Sequence, residues 1–155
     1  MIAIDWKEAK TQVDSWKSAG LKVVFTNGCF DILHRGHVAY LSEAKSLGNK
    51  LILALNSDRS VRELKGERRP IQSQDDRAAI LDALESIDLV VIFDEDTPQE
   101  IIKTLLPHVL VKGGDYSPET IVGAGTVIEN GGEVKVIPFL SGYSTSGILE
   151  KIIKL

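Results

Sequence analysis

The segment GCFDILHRGHVAYL, residues 28–41, places two of the chain's three histidines, His34 and His37, three residues apart. They follow a strand-like run that ends in glycine. Imidazoles at such a junction can offer N–H donors to phosphate oxygens without adding two permanent charges. Either can also take up a proton as negative charge builds. Gly28 and Gly36 let backbone N–H groups come close to a ligand, and a helix beginning here favours an anion at its N-terminus. The competing reading is a histidine that caps the helix or packs in the core. For one histidine alone that reading carries more weight; for this pair, in a glycine-rich turn, the phosphate site is favoured. Cys29, the only cysteine, can form neither an internal disulfide nor a zinc site. It lacks an activating partner other than the histidines and reads as a small loop residue.

Positioning these groups requires a strand before them and a helix after them. LKVVFTNG (21–28) is the strand, and HVAYLSEAKSLG (37–48), with Val38, Leu41 and Ala44 at helical spacing, is the helix. LILALN (51–56) is a continuous apolar run, as expected of a strand buried on both faces. SDRSVRELKGERRPIQ (57–72) is polar and basic and reads as a mobile connection. Ser73 and Asp76 are spaced to cap a helix carrying Ile80, Leu81 and Leu84. DLVVIF (88–93) is the third strand. Thr97, Pro98 and Glu100 suggest an N-cap, a first-turn proline and a capping box. VLVKGGDY (109–116) contains the fourth strand. Ser117 and Pro118 then predict a helix lasting until NGG (130–132), before a fifth strand in EVKVIPF (133–139). A final helix in STSGILEKIIKL (144–155) has Ile148, Leu149, Ile152 and Ile153 on its apolar side, and residues 1–20 read as an N-terminal helical extension around Trp6, Val13 and Trp16. The alternation predicts a single doubly wound, Rossmann-like α/β domain over 1–155, a five-stranded parallel sheet with helices on both faces.

In such a sheet ligands bind beyond the carboxyl ends of the strands. Four polar segments lie there: TNGCFDILHRGH, NSDRSVRELKGERR, KGGDY and SGYSTS. A net charge of −4 argues against a general nucleic-acid binder. No stretch is long and apolar enough to span a membrane, and the first residues lack a signal-peptide pattern, so the chain reads as cytoplasmic.

GCFDILHRGH, followed late in the chain by YSTSGI (143–148), resembles the paired signatures of the cytidylyltransferase-like nucleotidyltransferases. LNSD, LKGERRP, DTPQ, LVKGGDY and NGGEV, in that order, are similar to the heptose 1-phosphate adenylyltransferase branch. The likeness runs over about residues 21–153. It implies transfer of AMP from ATP, carried with Mg²⁺, to a sugar 1-phosphate with release of pyrophosphate; the alternatives are a nucleotidyltransferase for another alcohol or sugar phosphate such as glycerol 3-phosphate, or a catalytically weak nucleotide-binding module, against which the intact histidine and serine/threonine pairs count. It also implies a homodimer and a separate heptose kinase that supplies the substrate, since 155 residues leave no room for one. The cytidylyltransferase branch carries an arginine shortly before the serine/threonine pair. PFLSGYSTS has no basic residue there, which favours ATP over CTP.

By the same resemblance, His34 and His37 contact the triphosphate and stabilise the transition state. Thr26, Asn27, Gly28, Cys29, Phe30 and Gly36 shape the loop beneath it. Ser144 and Thr145 offer hydroxyls and helix N-terminal N–H groups to the β- and γ-phosphates, or serve as simple N-caps. Lys65 closes over the phosphates or holds the sugar phosphate. Lys112, Gly113 and Asp115 supply nucleotide and substrate contacts. Asp31 binds sugar hydroxyls or metal-bound phosphates, or only braces the loop. Arg68 and Arg69 stand evenly between ligand contact and solvated loop, and Arg77, inside a helix, reads as a structural ion-pair partner. No set of protein metal ligands is expected, because Mg²⁺ commonly relies on substrate phosphates.

Overall fold

A computed structural model describes residues 1–155. Five runs of β-branched and aliphatic residues form its sheet: β1 (Val23–Gly28), β2 (Lys50–Asn56), β3 (Leu89–Phe93), β4 (Val109–Gly113) and β5 (Glu133–Ile137). Their order is β3-β2-β1-β4-β5, and every pairing is parallel. Parallel neighbours need crossovers, so helices cover both faces. The helices α1 (Trp6–Ser18), α5 (Gln99–Leu105) and α6 (Ala124–Glu129) pack on one face, around Val23, Phe25, Ile52 and Val91. On the other face, α2 (Arg35–Ser46) and α4 (Gln74–Asp82) pack around Val24, Leu51, Leu53 and Val109. The strand order reverses between β1 and β4, which puts the ligand crevice at the carboxyl ends of those two strands. Far from being an appendage, α1 is part of the core, with Ala9 and Val13 fully buried.

Several local expectations are corrected. Residues 57–72 are not a loose connection: Asp58–Lys65 form a two-turn helix, α3. Ser57 caps it by accepting the Ser60 N–H, and Ser60 and Val61 are buried against the body. Its single inward stripe is too short for a clear helical period, and the arginines on its outer side conceal it. The helix after β3 starts at Gln99, one residue later than the Thr97 cap predicts, and has no side-chain cap. Ser117 and Pro118 begin only a 3₁₀ turn, Pro118–Thr120; the chain then breaks at Gly123 (φ 86°) before α6. A Cβ at Gly123 would lie 2.5 Å from Ile102, so the left-handed turn and the close approach to α5 both require glycine. Val38 and Ile80, spaced for the core, are exposed, while Tyr40 and Arg77 are buried instead. The last helix, α7 (Thr145–Ile153), has no fully buried residue: Ile148 and Leu149 are half-buried, while Ile152 and Ile153 on the same side are exposed.

Arg77 on α4 is the largest fully buried side chain, 1% exposed. Its Nη1 donates to the carbonyls of Cys29 (2.6 Å) and Asn56 (3.0 Å), and its Nε to the carbonyl of Gln72 (3.1 Å). Its Nη2 pairs with the Asp58 carboxylate at 2.8 Å. One guanidinium thus joins the end of β2, the start of α3, the entry to α4 and the loop after β1. The planar fork makes this possible; a lysine has neither the reach nor the five fixed donors. Replacing Arg77 with Met strands three carbonyls and a carboxylate, so urea denaturation of Arg77→Met should show a loss of about 3–5 kcal/mol. A loss under about 1 kcal/mol would mean that water replaces the guanidinium and that the junction does not depend on it.

Candidate active site

A cleft of about 720 Å³ opens at the carboxyl ends of the strands, at the switch between β1 and β4. His34 and His37 both line it. His34 is the N-cap of α2: its Nδ1 accepts the Gly36 N–H at 3.1 Å. His37 reaches back, its Nδ1 accepting the His34 N–H at 3.4 Å. The pair forms a reciprocal capping box, with imidazoles in the positions more often held by serine and glutamate. The rings stack, with centroids 3.8 Å apart and planes inclined by 22°. Capping and ligand binding are therefore compatible here. Each Nδ1 must be unprotonated to accept its N–H, so each ring is the Nε2–H tautomer, with Nε2 as the nitrogen free to meet a ligand.

Burial lowers the pKa of both rings, and for His37 the proximity of His34 adds to it, bringing that residue to about 4. Both are neutral donors at neutral pH. Two stacked rings cannot both charge without a nearby anion, which suits a site that should gain positive charge only as negative charge arrives.

The loop between β1 and α2 is held in an unusual shape. Phe30 (φ 45°) and Ile32 (φ 57°) sit in the left-handed region on either side of Asp31. For residues with a Cβ this costs about 1–3 kcal/mol each, so the surroundings must impose it. Asp31 supplies the constraint. Its carboxylate accepts from Arg69 Nε (2.7 Å) and the N–H groups of Ile71 (2.8 Å) and Gln72 (3.0 Å), and its side chain is fully buried. Burial alone would raise its pKa; the three hydrogen bonds outweigh that and hold it below the usual carboxylate range. Of the two roles open to Asp31, the brace is the one this geometry supports, since its side chain is fully buried and both carboxylate oxygens already accept. Arg69 is its partner, though it also lines the cleft; Arg68 is exposed on the loop and outside the cleft.

Thr26 supports the loop from below and makes no contact with the cleft itself. It is wholly buried, its Oγ1 paired with the Tyr40 hydroxyl (2.6 Å) and the Val111 carbonyl (3.1 Å), beneath the cleft and not in it. Asp115 is exposed and lies outside the lining. Asn27, Gly28, Cys29, Phe30, Gly36 and Gly113 all line the cleft. At Gly36 a Cβ would stand 3.0 Å from both the His34 ring and Tyr143, so only glycine lets α2 begin so close to that wall. Burial pushes the Cys29 thiol up, which leaves it unactivated.

Lys65, the last residue of α3, and Lys112, near the end of β4, face the cleft, and neither pairs with a carboxylate. Burial lowers the Lys112 pKa, with Cys29 opposing the shift and the Lys65 charge adding to it. At the start of α7, Ser144 Oγ accepts the Gly147 N–H (3.0 Å). Thr145 Oγ1 donates to the Asp31 carbonyl (2.7 Å). Ser144 is thus the cap of its own helix, and Thr145 alone ties α7 to the histidine loop; what α7 offers an anion is the remaining first-turn N–H groups. Sequence reading missed the apolar wall before α7: Phe139 lies against Gly113 and Gly114, and Leu140 and Tyr143 continue it. Tyr143 also stacks at 6.5 Å on His34. Exposed aromatic residues in a connecting segment show no periodicity, so nothing short of the fold places them. No group of three or more His, Cys, Asp or Glu side chains converges to hold a metal ion.

Two outcomes follow from this geometry. His37 has a folded pKa of about 4 against an ordinary 6.5, so the unfolded chain takes the proton first. Its contribution to stability is complete above pH 6.5 and falls away as the pH drops from 6.5 towards 4. The urea midpoint should decline over that window, and less steeply in His37→Gln; identical slopes would show that the ring does not titrate as a buried cap. In native hydrogen exchange, α3 should be protected without ligand, because Arg77 holds its first residue and Asp31 holds residues 69–72 a few positions beyond its end. Only residues 66–68 should gain protection when ATP and a sugar phosphate bind; unprotected amides across 60–65 in the free protein would restore the picture of a loose loop.

A family model described as Cytidylyltransferase-like matches residues 25–150. The Bifunctional protein HldE of Marinomonas sp. (strain MWYL1) is 57% identical over 145 residues, 94% of this chain and 30% of that protein. The protein of the same name from Wolinella succinogenes is 59% identical over 137 residues, 88% of this chain and 28% of the relative. The chain therefore spans about a third of the length of these curated relatives or less. The crystal structure of a lipopolysaccharide core biosynthesis protein from Thermoplasma volcanium GSS1 superposes with a TM-score of 0.63 at 28% identity, covering 81% of this chain and all of that one. A pantoate-beta-alanine ligase from Francisella tularensis matches at a TM-score of 0.62 and 15% identity, over all of this chain and 78% of that one, which shows the shared fold alone. With the paired histidines, the late serine/threonine helix start and the 3-2-1-4-5 sheet all in place, the chain belongs to the cytidylyltransferase-like family of nucleotidyltransferases.

Proposed function

We propose that this chain transfers AMP from ATP to D-glycero-β-D-manno-heptose 1-phosphate, releasing pyrophosphate and forming ADP-heptose for surface-glycan synthesis. The carrying observation is the stacked, neutral His34–His37 pair at the start of α2, with the start of α7 beside it and two unpaired lysines facing the same cleft. The likeness to the HldE proteins over most of this chain supports the heptose acceptor.

A sugar-phosphate oxygen attacks the α-phosphorus, a new P–O bond forms, and the bond to the β-bridging oxygen breaks. The pair of electrons leaves with pyrophosphate. A phosphate anion needs no base to make it a nucleophile, so the protein's part is positioning and charge neutralisation. In this reading the Nε2–H groups of His34 and His37 hold triphosphate oxygens and gain strength as charge moves to the leaving group. The first-turn N–H groups of α7 receive the β- and γ-phosphates. Lys65 and Lys112 offset the sugar phosphate, and the Phe139–Tyr143 wall offers the base an apolar surface. Mg²⁺ enters with ATP as part of the substrate, held mainly by phosphate oxygens. In this reading the working protein is a cytoplasmic homodimer whose acceptor is supplied by a heptose kinase activity.

Pyrophosphate release, measured with ATP and with CTP in the presence and absence of heptose 1-phosphate, tests this reading. Release should require the sugar phosphate and strongly favour ATP. Comparable kcat/KM for the two nucleotides, or release dependent on a different acceptor, would overturn the assigned substrates. His34→Ala and His37→Ala should each lower kcat by about 10²–10³, the usual cost of a lost charge-stabilising donor. Near-normal turnover in either variant would reduce that ring to its capping role.

A further inference from the structure

The cleft has two walls with different chemistry. His34, His37 and α7 lie on the side of the sheet covered by α2, whose Tyr40, Leu41 and Ala44 belong to that core. The opposite wall comes from the β3–α5 connection, which leads onto the face shared with α1 and α6. Three residues of that connection, Asp96, Thr97 and Pro98, line the cleft.

The connection begins with three consecutive acids, and their situations differ. Asp94 is bound by Ser57 Oγ and Arg59, and Glu95 accepts the Asp94 N–H at 3.0 Å. Asp96 is solvent-exposed, has no hydrogen bond or ion pair within the chain, and is one of the residues lining the cleft. With the Asp31 carboxylate buried and fully bonded, Asp96 is the only carboxylate among the lining residues still free to receive a ligand.

An unpaired carboxylate opposes anion binding in a cleft otherwise lined by His34, His37, Lys65, Arg69 and Lys112. The conflict disappears if the part of the ligand it meets is neutral and carries donors. Displacement at phosphorus proceeds with attacking and leaving oxygens roughly in line. With pyrophosphate held on the histidine side, the attacking molecule comes from the opposite wall. We infer that Asp96 is a specificity-determining residue that accepts hydrogen bonds from the acceptor's hydroxyl groups, while the acceptor's phosphate is turned toward the lysines. The same charge excludes acceptors that carry a second phosphate at the hydroxylated end. This inference rests on the nucleotidyltransferase reading of the cleft, though not on heptose as the acceptor.

The test begins by fixing the best acceptor of the wild-type protein from a panel of sugar 1-phosphates and glycerol 3-phosphate. If the best acceptor is not heptose 1-phosphate, the proposed substrate fails, and Asp96 is tested on the acceptor found. On that acceptor, Asp96→Ala and Asp96→Asn should raise the acceptor KM about 10- to 100-fold, the range for hydrogen bonds to a charged group. The KM for ATP and the thermal midpoint should stay unchanged, and Asp96→Glu should recover part of the affinity. Discrimination between glucose 1-phosphate and glucose 1,6-bisphosphate should narrow in Asp96→Asn, a charge effect that a merely structural residue would not produce. An unchanged acceptor KM in both variants, or an equal rise in the KM for ATP, would overturn the inference.

Discussion

The cleft depends on one buried cation. Arg77 has no direct place in the chemistry, yet one guanidinium holds the Cys29 and Asn56 carbonyls, the Asp58 carboxylate and the Gln72 carbonyl together. A buried guanidinium is tolerable only when its donors are satisfied and its charge opposed, and both conditions are met here. The consequence is geometric: the histidine loop after β1 and the lysine-bearing α3 after β2 share one anchor. Asp31 adds a second tie from the loop to residues 69–72. Between them they convert two loops into a fixed floor, on which left-handed Phe30 and Ile32 can persist.

On that floor the histidines serve twice. Their Nδ1 atoms complete the hydrogen bonding of α2's first turn, and this use orients the rings and selects the tautomer. The free nitrogens are then donors of fixed direction. Stability and binding are coupled through the same imidazoles, so a substitution that preserves one role disturbs the other. Thr145 extends the coupling, because its hydroxyl joins α7 to the Asp31 carbonyl and so sets the second helix N-terminus against the first.

Much of this was legible in the residues. The strand runs are hydrophobic enough to be buried on both faces, and their alternation with capped helices left little choice of fold. The histidine pair was conspicuous because its types and spacing are unusual at a helix start. What stayed hidden depends on contacts distant in sequence. For Asp31 the residues leave ligand contact and brace both open; only the approach of Arg69, Ile71 and Gln72, some forty residues on, buries the carboxylate and engages both its oxygens. The α3 helix was concealed by its polar outer side and its brevity. Phe139 and Tyr143 gave no periodic signal, and Asp96 was one acid in a run of three until its neighbours found partners within the chain. In each case the residue type was readable while the partner was not.

The central claim is that His34 and His37 are neutral Nε2–H donors whose other nitrogens cap α2. Nitrogen-15 NMR of histidine-labelled protein addresses it directly. At pH 7 both residues should show a protonated Nε2 and an unprotonated Nδ1, and addition of pyrophosphate or a non-hydrolysable ATP analogue should shift the Nε2 resonances while leaving each Nδ1 an acceptor. A protonated Nδ1 in the free protein, or Nε2 resonances indifferent to the phosphate ligand, would contradict the account.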